Sequence, residues 1–281
     1  MPTVAYLGPE KTNTYFAALK RFGRKATYVH ASTVEEVFRL VERKKADFGV
    51  VAIENSLQGG ITHTLDRFID FDESPVKVYG EVDESIQHFL IFKKGIKPEK
   101  IRMVFSHYSA LDQCREWIHA NFPNASTLPT NSTASAIEEL LKRDKSGFGR
   151  AAVGRIELAR SSGLKAVPIP ISQENRTRFL ILSLKSAPKG DNSKTSLMFS
   201  LKDKPGALYD SLRPFKQYKI NLSKIESRPT KRKAWEYVFF VDLEGHESDP
   251  QVKKALRALR RTTASLRVLG SYPAEGARGR G

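Results

Sequence analysis

Asp47-Phe48-Gly49-Val50-Val51-Ala52-Ile53 is a continuous apolar run with no polar alternation. A strand of this composition must be covered on both faces, which is the situation of a strand inside a parallel sheet. The sequence on its N-terminal side fits the same pattern. Residues 3–7 read as a short buried strand broken by Gly8-Pro9, and Tyr15-Phe16-Ala17-Ala18-Leu19 is helix-like. Residues 26–30 are a second strand, and Thr33-Val34-Glu35-Glu36 has the spacing of a capping box opening another helix. The alternation βαβαβ implies a doubly wound sheet, in which ligands bind beyond the carboxyl ends of the strands. Glu54-Asn55-Ser56 stands at such an end, just before Gly59-Gly60 lets the chain turn sharply. Thr12-Asn13-Thr14, between the first strand and its helix, offers free backbone N–H groups to an anion.

Beyond residue 76 the character changes. Residues 78–93 read as one long strand-like segment, and a second set of alternating elements follows: strands at 102–105, 125–128, 150–154 and 165–168 with helices between them. Ser106-His107-Tyr108-Ser109 caps the helix that carries Gln113 and Trp117. The polar stretch Asn175-Arg176-Thr177-Arg178 then stands at the mouth of the apolar run Phe179-Leu180-Ile181-Leu182, which returns the chain to the first lobe. Two crossings between two α/β lobes describe a hinged clamshell with a cleft. The first lobe is expected at about 1–77 and 170–186, the second at about 78–169. A linker follows at 187–193. Residues 194–270 read βαββαβ, a ferredoxin-like order, and 271–281 read as a disordered tail.

The 281 residues suffice for two or more domains, and a hydrophobic content of 40% suits a globular chain. The formal net charge of +16 is large. No nucleic-acid-binding motif accompanies it, so the charge is assigned to solvated faces and to steering an anionic ligand. Lys231-Arg232-Lys233 reads as a hairpin turn. The single cysteine, Cys114, leaves no internal disulfide framework and reads as an inert, half-buried thiol. His63 has no second ligand at metal-binding spacing. Met1-Pro2-Thr3-Val4-Ala5-Tyr6 shows no signal-peptide pattern and no run approaches a membrane span, so the cytoplasm is the expected compartment.

Several spaced motifs now come together. Gly8-Pro9 with Thr12 and Thr14, Ile53-Glu54-Asn55-Ser56 with Gly59, Gly60, Thr64 and Asp66, Ser106-His107 with Gln113-Cys114, and Asn175 with Thr177-Arg178-Phe179 resemble prephenate dehydratase. Gly206-Ala207-Leu208 and Ile220-Asn221-Leu222-Ser223-Lys224-Ile225-Glu226-Ser227-Arg228-Pro229 resemble the phenylalanine-binding ACT domain joined to it. The resemblance runs from about residue 3 to 270. It implies a two-lobed catalytic domain of the periplasmic-binding-protein-like type II followed by an ACT domain. The implied reaction is the loss of water and carbon dioxide from prephenate to give phenylpyruvate, with no metal or cofactor.

By the same resemblance Thr177 is the catalytic hydroxyl, Arg178 holds a carboxylate and Glu54 orders the site. Thr12, Asn13, Thr14, Asn55, Ser56, Ser106, Gln113 and Phe179 would surround the substrate. Gly206, Ala207, Leu208, Asn221, Glu226, Ser227, Arg228 and Pro229 would form the phenylalanine site, in a homo-oligomer of two or four chains. Neither nucleic acid nor membrane is an expected partner. The first loop departs from the family pattern at Lys11, Asn13 and Tyr15, which bears on loop geometry and substrate selectivity. Arogenate stands as the alternative substrate, and a non-catalytic small-molecule sensor on the same scaffold as the alternative role.

Overall fold

The computed structural model describes residues 1–71, 73–142, 148–171, 173–231 and 235–275. The first lobe contains β1 (Thr3–Leu7), α1 (Asn13–Phe22), β2 (Thr27–Ala31), α2 (Val34–Glu42), β3 (Phe48–Asn55), β4 (Gly59–Gly60), α3 (Thr62–Asp70) and β5 (Lys77–Ser85). Its sheet runs β2-β1-β3, then the returning strand β11 (Arg176–Ser183), then β5, with β4 paired on β3. β1 is parallel to both β2 and β3, whereas β11 lies antiparallel between β3 and β5. The apolar run behaves as its composition demands. Val50 packs with Val4, Tyr6 and Phe179 on one face, and Val51 packs with Val37, Phe38 and Leu180 on the other. Thr33 caps α2 by accepting from Glu36 N at 3.1 Å, while the Glu36 carboxylate reaches back to Ser32 N at 2.7 Å.

β5 corrects the expected lobe boundary. The segment 78–93 is two strands, and its first half is the edge of the first lobe's sheet, paired with β11 from Ser85 to Lys77. The chain therefore enters the second lobe only after Ser85. There β6 (Phe89–Phe92), β7 (Ile101–His107), α4 (Tyr108–Gln113), α5 (Arg115–Asn121), β8 (Ser126–Thr130), α6 (Thr133–Leu141), β9 (Gly149–Gly154), α7 (Ile156–Ser161) and β10 (Lys165–Pro168) build a sheet of order β10-β6-β9-β7-β8. The two crossing segments hold each other: Ile86 N donates to Asn175 O at 2.8 Å, and Ile169 N to His88 O at 2.9 Å.

The third unit has β12 (Ser193–Leu201), α8 (Ala207–Gln217), β13 (Leu222–Pro229), β14 (Tyr237–Glu244), α9 (Pro250–Thr262) and β15 (Thr263–Pro273), in the antiparallel order β13-β14-β12-β15. This is the ferredoxin-like arrangement the element order implied. Period-two alternation sends Leu197, Phe199, Val241 and Leu243 toward the helices. Met198, Val238, Phe240 and Leu269 go to the other face, where they share a core with Phe68 and Leu180 of the first lobe. The ferredoxin-like sheet is thus pressed against the first lobe. Gly270 permits the closest approach, since a Cβ there would stand 2.0 Å from Val78 O. Arg267 ties the same edge by donating to Phe71 O and Ser74 O, each at 2.7 Å.

The last strand continues to Pro273, so residues 271–273 of the expected tail are strand; residues 276–281, like Arg232 and Lys233 of the expected turn, lie outside the described residues. Cys114 is fully rather than half buried, and burial pushes its thiol up to about 12. Among the described residues no helix is long and apolar enough to cross a membrane.

Candidate active site

The β3–β11 ladder organises the site. Thr177 pairs with Asn55 and Arg178 with Glu54. Successive residues of a strand point to opposite faces, so the two pairs are separated by the sheet itself. The sequence places Thr177-Arg178 in a polar stretch ahead of an apolar run that opens at Phe179. The strand in fact begins at Arg176, and the alternation already applies.

On one face Asn55 gathers the polar groups of both lobes. Its Oδ1 accepts from the backbone N–H of Leu57 at 3.0 Å and of Gln58 at 3.2 Å. That fixes its amide orientation, because a backbone N–H is always a donor. Its Nδ2 then faces Asn175 Oδ1 at 2.8 Å, Arg176 O at 3.0 Å and Thr177 Oγ1 at 3.0 Å. Asn175 Nδ2 in turn donates to Gln113 Oε1 of the second lobe at 2.8 Å. Thr177 is 8% exposed and, among the described residues, its hydroxyl has no acceptor of its own. Having received a hydrogen bond from Asn55, it keeps its proton for a bound molecule. A hollow of about 600 Å³ flanks this network, lined by the two hinge segments and including His88, Pro170 and Asn175.

The opposite face is ionic. Arg178 Nη1 donates to Glu81 Oε2 at 3.0 Å and Nη2 to Asp242 Oδ2 at 2.6 Å. Its Nε lies 2.7 Å from Glu54 Oε1, a contact of charges without an aligned hydrogen bond. Lys194 lies 2.8 Å from Glu81, and Lys224 lies 2.5 Å from Glu54. Asp242, Lys194 and Lys224 all come from the ferredoxin-like unit. Burial alone would lower the pKa of Arg178, but Asp242, Tyr272, Glu54 and Glu81 outweigh it and raise it. The guanidinium is therefore filled by carboxylates of the protein and does not reach the Thr177 cluster. The carboxylate-holding role expected of Arg178 and the ordering role expected of Glu54 fall on side chains that both lie on this ionic face.

Other expected residues separate in the same way. Phe179 is 1% exposed within the core. Ser106 is wholly buried and donates to Val153 O at 2.7 Å, while Ser56 joins Glu174 O and Arg176 N across the hinge. Thr12 caps α1, accepting from Tyr15 N at 3.3 Å and donating to Leu7 O at 3.2 Å; Thr14 is buried on the same helix. The atypical loop residues reach across to the second lobe: Asn13 Oδ1 meets Arg155 Nη1 at 3.4 Å, and Lys11 Nζ meets Ser161 Oγ at 3.2 Å.

In the third unit Gly206 has the left-handed φ of 75° that starts α8, with Ala207 buried and Leu208 more exposed behind it. Asn221 Nδ2 donates to Glu244 Oε1 at 2.8 Å. Strand alternation divides the motif at the end of β13. Glu226 and Arg228 face the first lobe, Glu226 over Gly60 and Arg228 paired with Asp66 at 3.1 Å, whereas Ser227 and Pro229 are exposed. Sequence reasoning missed Asp242, Lys194 and Glu81, which carry no motif, and gave Lys224 no role although it lies within the quoted 220–229 stretch. It also passed over His88, a lone histidine inside an alternating segment.

A two-lobed α/β scaffold with neutral amides around a buried hydroxyl, backed by a ferredoxin-like unit, defines a class of small-molecule enzyme with an attached effector module. Comparison with known proteins narrows the class. The prephenate dehydratase family profile matches residues 4–187 and the ACT domain profile residues 195–261. The bifunctional chorismate mutase/prephenate dehydratase of Aquifex aeolicus (strain VF5) is 45% identical over 271 residues, covering 96% of this chain and 73% of that protein. The prephenate dehydratase of Mycolicibacterium vanbaalenii is 33% identical, covering 97% of this chain and 91% of its own length. The solved structure of prephenate dehydratase in complex with L-Phe from Arthrobacter aurescens superposes with a TM-score of 0.86 at 32% identity, over 96% of this chain and 89% of that one. The chain belongs to the prephenate dehydratase family and carries an ACT domain.

Proposed function

We propose that the Asn55–Thr177 face of the cleft converts prephenate to phenylpyruvate, with Thr177 as the group that touches the leaving oxygen. The observation that carries this is the direction of the hydrogen bonds: Asn55 donates to Thr177 Oγ1, so the threonine proton is left for the substrate. In the reaction the ring C–OH bond and the ring C–carboxylate bond both break. The electron pair of the carboxylate bond enters the ring, carbon dioxide leaves, and the departing hydroxide takes up a proton to become water. Aromatisation drives the step. A positioned donor at the hydroxyl lowers the barrier, and a strong cation at the carboxylate being lost would raise it. Asn55, Asn175, Gln113 and Thr177 are neutral donors and acceptors, which suits both requirements.

Phenylalanine is the effector in this reading, bound at Gly206-Ala207-Leu208 with Asn221 and the exposed residues Ser227 and Pro229 in a dimer or tetramer. Its effect reaches the cleft through Asp242, Lys194 and Lys224 on the reverse of the same ladder. In this reading the catalytic unit is 1–186 and the ACT unit about 194–270, with its first strand from Ser193 and its last running on to Pro273. A lone buried cysteine suits the reducing cytoplasm. The test is phenylpyruvate formation from prephenate, read by its absorbance in alkali, with arogenate assayed in parallel and phenylalanine titrated. Turnover of prephenate that phenylalanine suppresses is expected. Tight prephenate binding with no product above the buffer blank would make the chain a sensor instead.

A further inference from the structure

His88 stands at the far end of the amide chain, in the first crossing between the lobes. It is 4% exposed, and its Nε2 lies 2.7 Å from Gln113 Oε1. The direction of every bond leading to it is set by the backbone. Asn55 is fixed by the N–H groups of Leu57 and Gln58 on one side and by Arg176 O on the other. Asn175 must then meet Asn55 Nδ2 with its Oδ1, which turns its Nδ2 to Gln113. Gln113 must answer with Oε1, and a carbonyl oxygen only accepts. His88 Nε2 is therefore the donor, in a neutral imidazole whose hydrogen is on Nε2. The 3.4 Å approach of Asn175 Nδ2 to His88 Nε2 is between two donors sharing one oxygen. Burial lowers the pKa of this imidazole and the Arg155 charge adds to that, against the Gln113 hydrogen bond.

We propose that His88 is a positioning residue for the dehydration: its Nε2–H holds Gln113 Oε1, so that Gln113 presents its Nε2 as a donor on the Asn55 side of the cleft. The proposal rests on the prephenate dehydratase reading. Gln113 Nε2 lies 3.5 Å from Asn55 Oδ1. Three parts of the molecule meet in this chain: Asn55 from the first lobe, Gln113 from the second, and His88 and Asn175 from the two crossings. His88 also ties the crossings together, since its carbonyl accepts from Ile169 N at 2.9 Å. Lobe closure and the orientation of Gln113 are thereby linked. Without His88, Gln113 Oε1 keeps one donor in place of two. A reversed Gln113 would set its NH2 against Asn175 Nδ2 and its Oε1 against Asn55 Oδ1, so the donor on that side would be lost.

Three substitutions and one spectrum test this. His88→Leu removes the donor, His88→Gln returns an amide nitrogen near the Nε2 position, and His88→Asn places one near Nδ1. In His88→Leu, kcat is expected to fall about tenfold or more with KM for prephenate changed less than about threefold. His88→Gln should recover most of that loss and His88→Asn little of it. Parent-level turnover by a folded His88→Leu protein, or equal recovery by the Gln and Asn variants, overturns the proposal. If the Leu variant does not fold, the Gln–Asn comparison and the parent protein still decide. Long-range ¹H–¹⁵N spectra of histidine-labelled parent should show the Nε2–H tautomer at neutral pH. An Nδ1–H tautomer or an imidazolium overturns the proposal. A parent that does not turn over prephenate defeats the functional reading, a failure distinct from either of these.

Discussion

The two faces of the β3–β11 ladder use adjacent residues for opposite chemistry. On the Asn55–Thr177 face the bonds join neutral groups of two lobes around one hydroxyl. On the Glu54–Arg178 face they join full charges of two domains around one guanidinium. The first arrangement leaves a proton for substrate; the second leaves the guanidinium committed to the protein. Period-two alternation alone separates them, so one strand can carry chemistry on its front and domain contact on its back. On the proposed reading, a displacement of β11 from behind would act on Thr177 through the strand itself.

Breaking the ionic face has the largest expected effect on stability. Arg178→Met leaves Glu54, Glu81 and Asp242 without their shared counter-ion. Removing one partner of a buried ion pair costs about 3–5 kcal/mol, and denaturant unfolding should show a loss of that size. Retained stability would mean that Lys194 and Lys224 suffice to balance the carboxylates. The neutral face gives the complementary result. Thr177→Ala is expected to reduce kcat on the order of 100-fold, about 2.7 kcal/mol of barrier, with KM and melting temperature near those of the parent. Turnover at the parent rate would remove Thr177 from the chemistry.

A smaller effect separates the faces by pH. Burial depresses the pKa of His88 and of His107. Below about pH 6.5 the unfolded chain then binds more protons than the folded one. The stability these histidines contribute is complete above that pH and is lost as pH falls toward their folded pKa values. Each accounts for at most about 1.4 kcal/mol per pH unit. Unfolding measured from pH 7.5 down to 5.5 should show this decline, and His88→Gln should flatten it. An unchanged slope would mean that folding does not shift the titration of His88.

Much of this organisation is legible in the sequence. The 47–53 run shows a strand covered on both faces, and the motifs around Asn55, Gln113 and Thr177 bring together residues that do meet. What failed has physical causes. Residues 78–93 alternate throughout, and nothing local reveals that the first half pairs with a strand about a hundred residues later. Arg176-Thr177-Arg178 is polar enough to resemble a loop, which hid the alternation that separates Thr177 from Arg178. Asp242 and Lys224 sit in ordinary alternating strands, and only docking of the ACT sheet makes them neighbours of Arg178 and Glu54.

The phenylalanine inhibition curve of Lys224→Gln tests the division between the faces most directly. Lys224 links the ACT strand β13 to Glu54, away from the cleft network. The substituted protein is expected to convert prephenate with kcat and KM within about threefold of the parent, while the phenylalanine concentration for half-inhibition shifts about tenfold, a change of about 1.4 kcal/mol in coupling. An unchanged inhibition curve, or a tenfold rise in KM for prephenate, would contradict the account.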